Sequence, residues 1–327
     1  MENGHPTYSA AIHARRRQIS RAWIARMRSG ALIELKRGGP RRFFLVHDGE
    51  GETLIYLNLA RRLPDDLAVL AIEPRQIAGV PLAHATIEEM AAFHIEEVRK
   101  NQPHGPYLLG GLCAGGVIAY EMAVQLIRAG ETVTLLALLE TATPKALERP
   151  RRILEQRLSR FKQAIASANK NDLAPVKRAG MIIVKSSKKI VGALLWEILR
   201  RSKQWGVSVR FRLLREVLKR GLTWPRFVPE LSVRQIYDSA HLRYVPKPLS
   251  SASVILVRAQ TGEGDDAPYR SVYADATFGW RSLAPHLTVI DVDGGHSTML
   301  EERFVDSLAK GLLPHLQQSA EPVERSL

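Results

Sequence analysis

Pro106-Tyr107-Leu108-Leu109-Gly110-Gly111-Leu112-Cys113-Ala114-Gly115-Gly116-Val117 is the stretch on which the reading of the fold turns. Its first five residues form a short buried-strand pattern. Its last residue opens an apolar helical pattern, 117–129, that stops at Gly130. Gly111-x-Cys113-x-Gly115 lies between the two. A strand that reverses sharply into a helix crowds the residues flanking the bend, and glycine removes that crowding. The bend lifts the residue at its apex clear of the backbone, beside a helix N-terminus that favours negative charge. Cys113 is the only cysteine among 327 residues. At this position it reads as a nucleophile with a thiol pKa lowered by the helix end.

Working outward, strand patterns alternate with helical ones. Arg42-Phe43-Phe44-Leu45-Val46-His47 predicts a strand ending at Asp48-Gly49-Glu50-Gly51, with a helical stretch over 53–63. Leu67–Ile72 predicts the next strand. Thr86-Ile87-Glu88-Glu89 predicts a capped helix start, and that helix runs to about Asn101. Strands are expected at 133–139, 253–257 and 287–292, with a closing helix over 299–313. This alternation implies an α/β fold: a mostly parallel sheet covered by helices on both faces. Residues 145–240 break the rhythm, carrying long helical patterns such as Leu154, Leu158, Phe161 and Ile165.

A base must come late in the chain for this architecture, and Asp293-Gly294-Gly295-His296-Ser297-Thr298 follows the last strand. An imidazole there can take a thiol proton near neutral pH and return it to a leaving group. For the carboxylate that would orient His296, the residues leave two places open. Glu140 closes the strand after the nucleophile's helix, while Asp265 and Asp266 follow the strand 253–257. Both lie at C-terminal strand ends, on the same edge as the bend. An oxyanion needs two backbone amides, and Ala114 and Gly49 are the candidates. The other nine histidines have no such context; His47, at the end of the first strand, is nearest to relevance.

Composition limits the alternatives. Hydrophobic residues make up 45% and charged residues 24%, which excludes a mainly disordered chain. A single cysteine excludes an intrachain disulfide framework and a cysteine-based zinc site. The N-terminus lacks a secretory pattern and no apolar run is long enough to span a bilayer, so a cytoplasmic location is expected. No phosphate-loop or dinucleotide glycine pattern occurs. The net charge of +14 is concentrated: residues 145–230 hold 22 basic and 6 acidic residues, residues 1–42 hold 10 and 2, and the remainder is acidic. Basic segments around an acidic body suggest a docking surface for an acidic partner rather than a nucleic-acid-binding body.

With these motifs in place, the chain resembles the thioesterase domains that release products from nonribosomal peptide and polyketide synthases, which have the α/β-hydrolase fold. The resemblance covers about residues 30–144 and 231–318. It rests on 43–51 with Tyr56-Leu57-Asn58-Leu59, on Gln102-Pro103-His104-Gly105-Pro106-Tyr107, on the Cys113 bend and on Gly294-Gly295-His296. It implies that Leu138-Leu139-Glu140 carries the acid, giving a Cys113–His296–Glu140 triad, and that a helical lid covers the site. Most relatives have Ser and Asp where this chain has Cys113 and Glu140. The organisation it implies is a basic N-terminal extension over 1–42, an α/β-hydrolase core over 43–144 and 241–318, a basic helical lid insertion over 145–240 and a tail over 319–327. The implied substrate is an acyl or peptidyl chain on the 4'-phosphopantetheine of an acidic carrier protein docking near the lid, with no bound cofactor, no metal and no nucleic acid. Release from an acyl-S-Cys113 intermediate would proceed by cyclisation, intramolecular transfer or hydrolysis. The alternatives are a free-standing editing thioesterase or another α/β-hydrolase acting on small acyl esters.

Overall fold

Eight strands form one sheet in the order β1-β2-β4-β3-β5-β6-β7-β8. They are β1 (Arg28–Ser29), β2 (Leu32–Lys36), β3 (Arg41–Val46), β4 (Leu67–Ile72), β5 (Tyr107–Leu112), β6 (Val133–Leu139), β7 (Ser253–Ala259) and β8 (Leu287–Val292). Strands β3 to β8 are mutually parallel, and β1 and β2 add to one edge as antiparallel strands. The structure is a computed structural model, and it describes residues 28–77, 79–146 and 204–318. The helices are α1 (Leu57–Arg62), α2 (Ile87–Asn101), α3 (Ala114–Arg128), α4 (204–219), α5 (Val233–His241) and α6 (Val305–Gln318).

Continuous apolar runs make the central strands, as expected when both faces of a parallel sheet are covered. All six residues of β4 and of β5 are buried. Side chains alternate between faces. Phe43, Leu45, Leu108 and Leu112 share one core cluster with residues of α1 and α6, including Leu59, Leu308 and Leu312. On the other face α3 packs along β3, β5 and β6, and α2 packs on α3. That α/β-hydrolase arrangement puts the loops after β3, β5, β6, β7 and β8 on one edge. The strand order reverses between β3 and β5, which is where ligands bind in open α/β sheets.

The chain divides into two units, one of residues 1–147 and 221–327, the other of 148–220. In the second unit α4 is described, with Phe211, Leu214 and Val217 buried at helix-face spacing; residues 147–203 of the expected lid lie outside the described residues. Two boundaries differ from the expectation. The sheet starts ahead of position 43, because Leu32, Ile33 and Leu35 give β2 a buried face that pairs with β4. Residues 233–241, expected within the insertion, form α5 of the first unit, capped by a reciprocal Ser232–Gln235 pair. At the start of α2 the Thr86 hydroxyl accepts from the Glu89 N–H, but Glu89 turns its carboxylate to the Ala85 N–H rather than to Thr86. The closing helix also begins later than expected. A short turn at Thr298–Leu300 comes first and α6 starts at Val305.

The bend itself is packed to contact. Cys113 has φ 53° and ψ −108°, outside the regions open to most side-chain-bearing residues. A Cβ on Gly111 would stand 2.4 Å from the Gly115 carbonyl carbon, and one on Gly115 would stand 2.5 Å from the oxygens of Val46 and His47. On Gly116 it would meet Thr141 Oγ1 at 2.0 Å. Backbone and buried side chains hold the conformation from below. The Tyr56 hydroxyl donates to Val46 O at 2.7 Å and accepts from the Leu112 N–H at 2.8 Å. The Cys113 N–H continues the ladder onto Leu139 O at 2.9 Å. Gly115→Ala is expected to destabilise the protein by about 1–3 kcal/mol, as overpacking against rigid neighbours does. The check is a lower urea midpoint at unchanged m-value; an unmoved midpoint would contradict the packing described.

Candidate active site

Five parallel strands end within one cluster of loops. Several of these loops are tied down by hydrogen bonds that extend the sheet beyond its strands. The Glu140 N–H donates to Val257 O, Gln260 N–H to Val292 O, and Thr261 N–H to Gly294 O. Glu140, like Cys113, has a positive φ, 42°. The bends after β5 and β6 therefore both turn side chains up at the C-terminal edge.

The structure brings Cys113, His296 and Glu140 together. Glu140 is fully buried, and its Oε2 lies 3.4 Å from His296 Nδ1. The carboxylate is otherwise satisfied by backbone donors: the Ala259 N–H to Oε1 at 2.7 Å and the Tyr269 N–H to Oε2 at 2.8 Å. Buried carboxylates need such partners. The His296 side chain is 16% exposed, and the Cys113 thiol lies near enough to its ring for each to shift the other's titration. Burial alone would push the imidazole down. The hydrogen bonds and charges of Cys113 and Glu140 outweigh it, and His296 is pushed up to about 10. Burial likewise pushes the Cys113 thiol up. The opposing pull of His296, of the Tyr269 hydroxyl and of the Arg234 guanidinium leaves it below its ordinary value. The two groups titrate as a pair, each drawing the other toward its charged form.

Of the alternative acids, Asp266 does something different. Its Oδ1 accepts from the Ser297 N–H and hydroxyl and from the Thr298 N–H, and its Oδ2 accepts from the Thr298 hydroxyl at 2.6 Å. Its carbonyl accepts the His296 N–H at 2.9 Å. Asp266 thus anchors the histidine's loop through that loop's backbone and hydroxyls, while Glu140 meets the ring. A Cβ on Gly295 would strike the Asp266 carboxylate, which accounts for the glycine before the histidine.

Of the amides 49–52, three turn inward. The N–H groups of Glu50 and Glu52 donate to Asp48 Oδ1 and that of Gly51 to Asp48 O. Gly49 contributes the amide left over among the described residues. Ala114 opens α3, so its N–H has no intrahelical partner. His47 is fully buried beneath this loop, with Nδ1 2.8 Å from Asp48 O. Burial pushes it down to about 4, so it stays neutral near pH 7.

Two residues escape a reading of the sequence. Tyr269 places its hydroxyl 3.1 Å from Cys113 Sγ and its ring 4.5 Å from the His296 ring. Arg234, on α5, holds Glu50 Oε1 through Nε at 2.6 Å, and its Nη2 would be 3.0 Å from a Cβ on Gly49. Neither sits in a motif. The one hint for Tyr269 is its place three residues after Asp266, in a loop already marked by its aspartates. Among the described residues no group of His, Cys, Asp and Glu could hold a metal ion, and no helix is long and apolar enough to cross a membrane.

Comparison with known proteins points to thioesterase domains. Residues 41–180 match the family described as "Thioesterase domain". A non-reducing polyketide synthase, atnG, of an Arthrinium species is 41% identical over 108 residues, which cover 33% of this chain and 5% of the synthase. The chain thus matches about a twentieth of that relative's length. Among solved structures, the thioesterase domain of NocB from the nocardicin cluster superposes with a TM-score of 0.53 at 23% identity, covering 88% of this chain and all of that domain. A four-domain nonribosomal peptide synthetase, AB3403, bound to AMP and glycine, matches with a TM-score of 0.55 at 26% identity, covering 92% of this chain and 21% of the synthetase. The chain therefore carries a thioesterase-domain match over residues 41–180, on the α/β-hydrolase fold of solved thioesterase domains, and it is related to segments of polyketide and nonribosomal peptide synthases.

Proposed function

We propose that the protein is a chain-releasing thioesterase that takes an acyl or peptidyl group from the phosphopantetheine thioester of a carrier protein onto Cys113. The observation that carries this reading is the gathering of Cys113, His296 and Glu140, with His296 Nδ1 3.4 Å from Glu140 Oε2, on the edge where the strand order reverses. With Nδ1 turned to Glu140, Nε2 is the nitrogen that serves the thiol, and Glu140 fixes ring orientation and tautomer.

The thiolate attacks the thioester carbonyl. The N–H groups of Gly49 and Ala114 receive the developing oxyanion. The pantetheine C–S bond breaks, and the imidazolium proton goes to the departing sulfur. The product is an acyl-S-Cys113 enzyme. Water, an amine or a hydroxyl of the chain itself then attacks, gives its proton to His296 and expels the Cys113 thiolate. Exchange between two thioesters is close to energy-neutral, so the acyl-enzyme stays activated. A serine would have dropped it to an ordinary ester. An activated intermediate favours amide formation or ring closure over plain hydrolysis as the release step. The basic segments at 1–42 and 145–230 supply charge of the sign that an acidic carrier protein would meet.

Three measurements test this reading. Intact-protein mass spectrometry after incubation with a carrier-bound acyl thioester should show one acyl adduct, lost in Cys113→Ala; turnover by that variant at the wild-type rate would overturn the reading. Glu140→Gln should lower kcat by up to about 10⁴, the loss found when the carboxylate of such a triad is replaced by its amide. The third needs no substrate. Because the protein has one cysteine, its alkylation by iodoacetamide reports Cys113 alone. The pH midpoint of that reaction should lie below the ordinary thiol value of about 8.5, and it should move up in His296→Ala. An unshifted midpoint in both proteins would remove the ion pair from the mechanism.

A further inference from the structure

Tyr269 meets all three members of the candidate triad. Its hydroxyl is 3.1 Å from Cys113 Sγ, its ring packs at 4.5 Å and 34° on His296, and its backbone N–H donates to Glu140 Oε2 at 2.8 Å. The ring is wedged from behind by Tyr273 and Phe278, at 5.1 and 5.9 Å between centroids. A side chain braced in this way holds its hydroxyl at the sulfur with little freedom to leave. Resting on the reading of Cys113 as the acyl carrier, we infer that the Tyr269 hydroxyl is a catalytic group of the release half-reaction, donating its hydrogen bond to the Cys113 sulfur as that sulfur is expelled.

The chemistry follows from what sulfur can accept. A thiolate is a strong acceptor and has no proton to give, so against it the hydroxyl must be the donor. A thioester sulfur is neutral and accepts weakly. The bond is therefore strong against the thiolate, weak in the acyl-enzyme, and strong again as the carbon–sulfur bond breaks. In release, the incoming nucleophile adds to the carbonyl carbon and its proton passes to His296. The C–Sγ bond then breaks and its electron pair stays on Sγ. An interaction present at that transition state and absent from the acyl-enzyme before it accelerates the step. In the loading step the same bond has opposing effects. It raises the thiolate fraction, and it lowers the nucleophilicity of that thiolate, which falls as thiol acidity rises. The two oppose each other, so the net effect on loading is about threefold for a one-unit change in acidity. The hydroxyl is thus expected to act mainly on release, and an amine or alcohol nucleophile gains most, because Cys113 must leave in preference to the nucleophile just added.

Tyr269→Phe tests this. It removes the hydroxyl and keeps both the ring on His296 and the N–H on Glu140. The probe is an octanoyl N-acetylcysteamine thioester, followed in single turnover by intact-protein mass spectrometry. The variant is expected to load Cys113 within about threefold of the wild-type rate and to clear it about tenfold more slowly, the order of one hydrogen bond to a charged group. Acyl-enzyme should accumulate. The iodoacetamide midpoint, which reads the hydroxyl without turnover, should move up. Clearance at the wild-type rate with an unmoved midpoint overturns the inference and leaves the acyl-Cys113 reading standing. Absence of any acyl adduct on wild-type Cys113 overturns both.

Discussion

The backbone reversal at Cys113 is the constraint on which the rest of the site depends. A residue with a side chain at φ 53°, ψ −108° stores strain of about 1–3 kcal/mol. The fold retains it because relaxing it would break contacts on every side. Gly111, Gly115 and Gly116 leave no room for a Cβ, Tyr56 bridges the ends of β3 and β5, and the Cys113 N–H is fixed to β6. The same geometry that costs stability brings the thiol up at the sheet edge, at the N-terminus of α3, and leaves the Ala114 amide without a helical partner. Fold and site are coupled at this one turn: a change that eases the backbone also lowers the sulfur from its position.

Much of this is legible in the sequence, and the reason is physical. Buried parallel strands need apolar runs, and Leu67–Ile72 and Val133–Leu139 occupy the expected positions. The glycine spacing around Cys113 marks a steric demand that few other structures make. The antiparallel β2 is hidden because Leu32-Ile33-Glu34-Leu35-Lys36 is short and lies beside a run of arginines and glycines that dominates the local composition. Helix α5 reads as part of the insertion because a helical pattern carries no information about which unit it packs on. Its place is decided by partners distant in the chain, such as the loop of Glu50 that Arg234 grips.

The choice between Glu140 and the aspartates shows a limit of another kind. Glu140 directly follows β6, Asp265 and Asp266 lie in the loop after β7, and the sequence leaves both places open. What separates Glu140 from Asp266 is direction. At Glu140 the positive φ and the bond from its N–H to β7 turn the longer side chain under the imidazole, where two backbone amides complete its hydrogen bonding. Asp266, on a turn facing the histidine loop, is consumed by that loop's amides and hydroxyls. The two carboxylates have separate roles, Glu140 orienting the ring and Asp266 holding the segment that carries it. Tyr269 illustrates the same limit, since nothing in a lone tyrosine signals that its amide, ring and hydroxyl will each find a different partner in one cluster.

A thiol in place of a hydroxyl changes the electrostatic problem that such a site must solve. A serine hydroxyl is neutral at rest, and charge appears only during reaction. Cys113 and His296 each pull the other toward its charged form before substrate arrives, in a half-buried place where an unpaired charge would be costly. On the proposed pathway, loading passes the imidazolium proton to the leaving sulfur, and release returns a proton to the ring as the thiolate reforms. The total charge of Glu140, His296 and Cys113 is the same before and after each half-reaction; only its separation changes. The surroundings therefore never have to accommodate a new net charge, only to follow a negative charge from sulfur to oxygen and back. On that pathway the Gly49 and Ala114 amides would receive the oxygen, while the Tyr269 hydroxyl stands at the sulfur and the Arg234 guanidinium beside the Gly49 loop. Donors anchored by the backbone and by packed rings need little reorganisation as the charge moves, and this is the condition under which such a site favours the transition state over the states on either side of it.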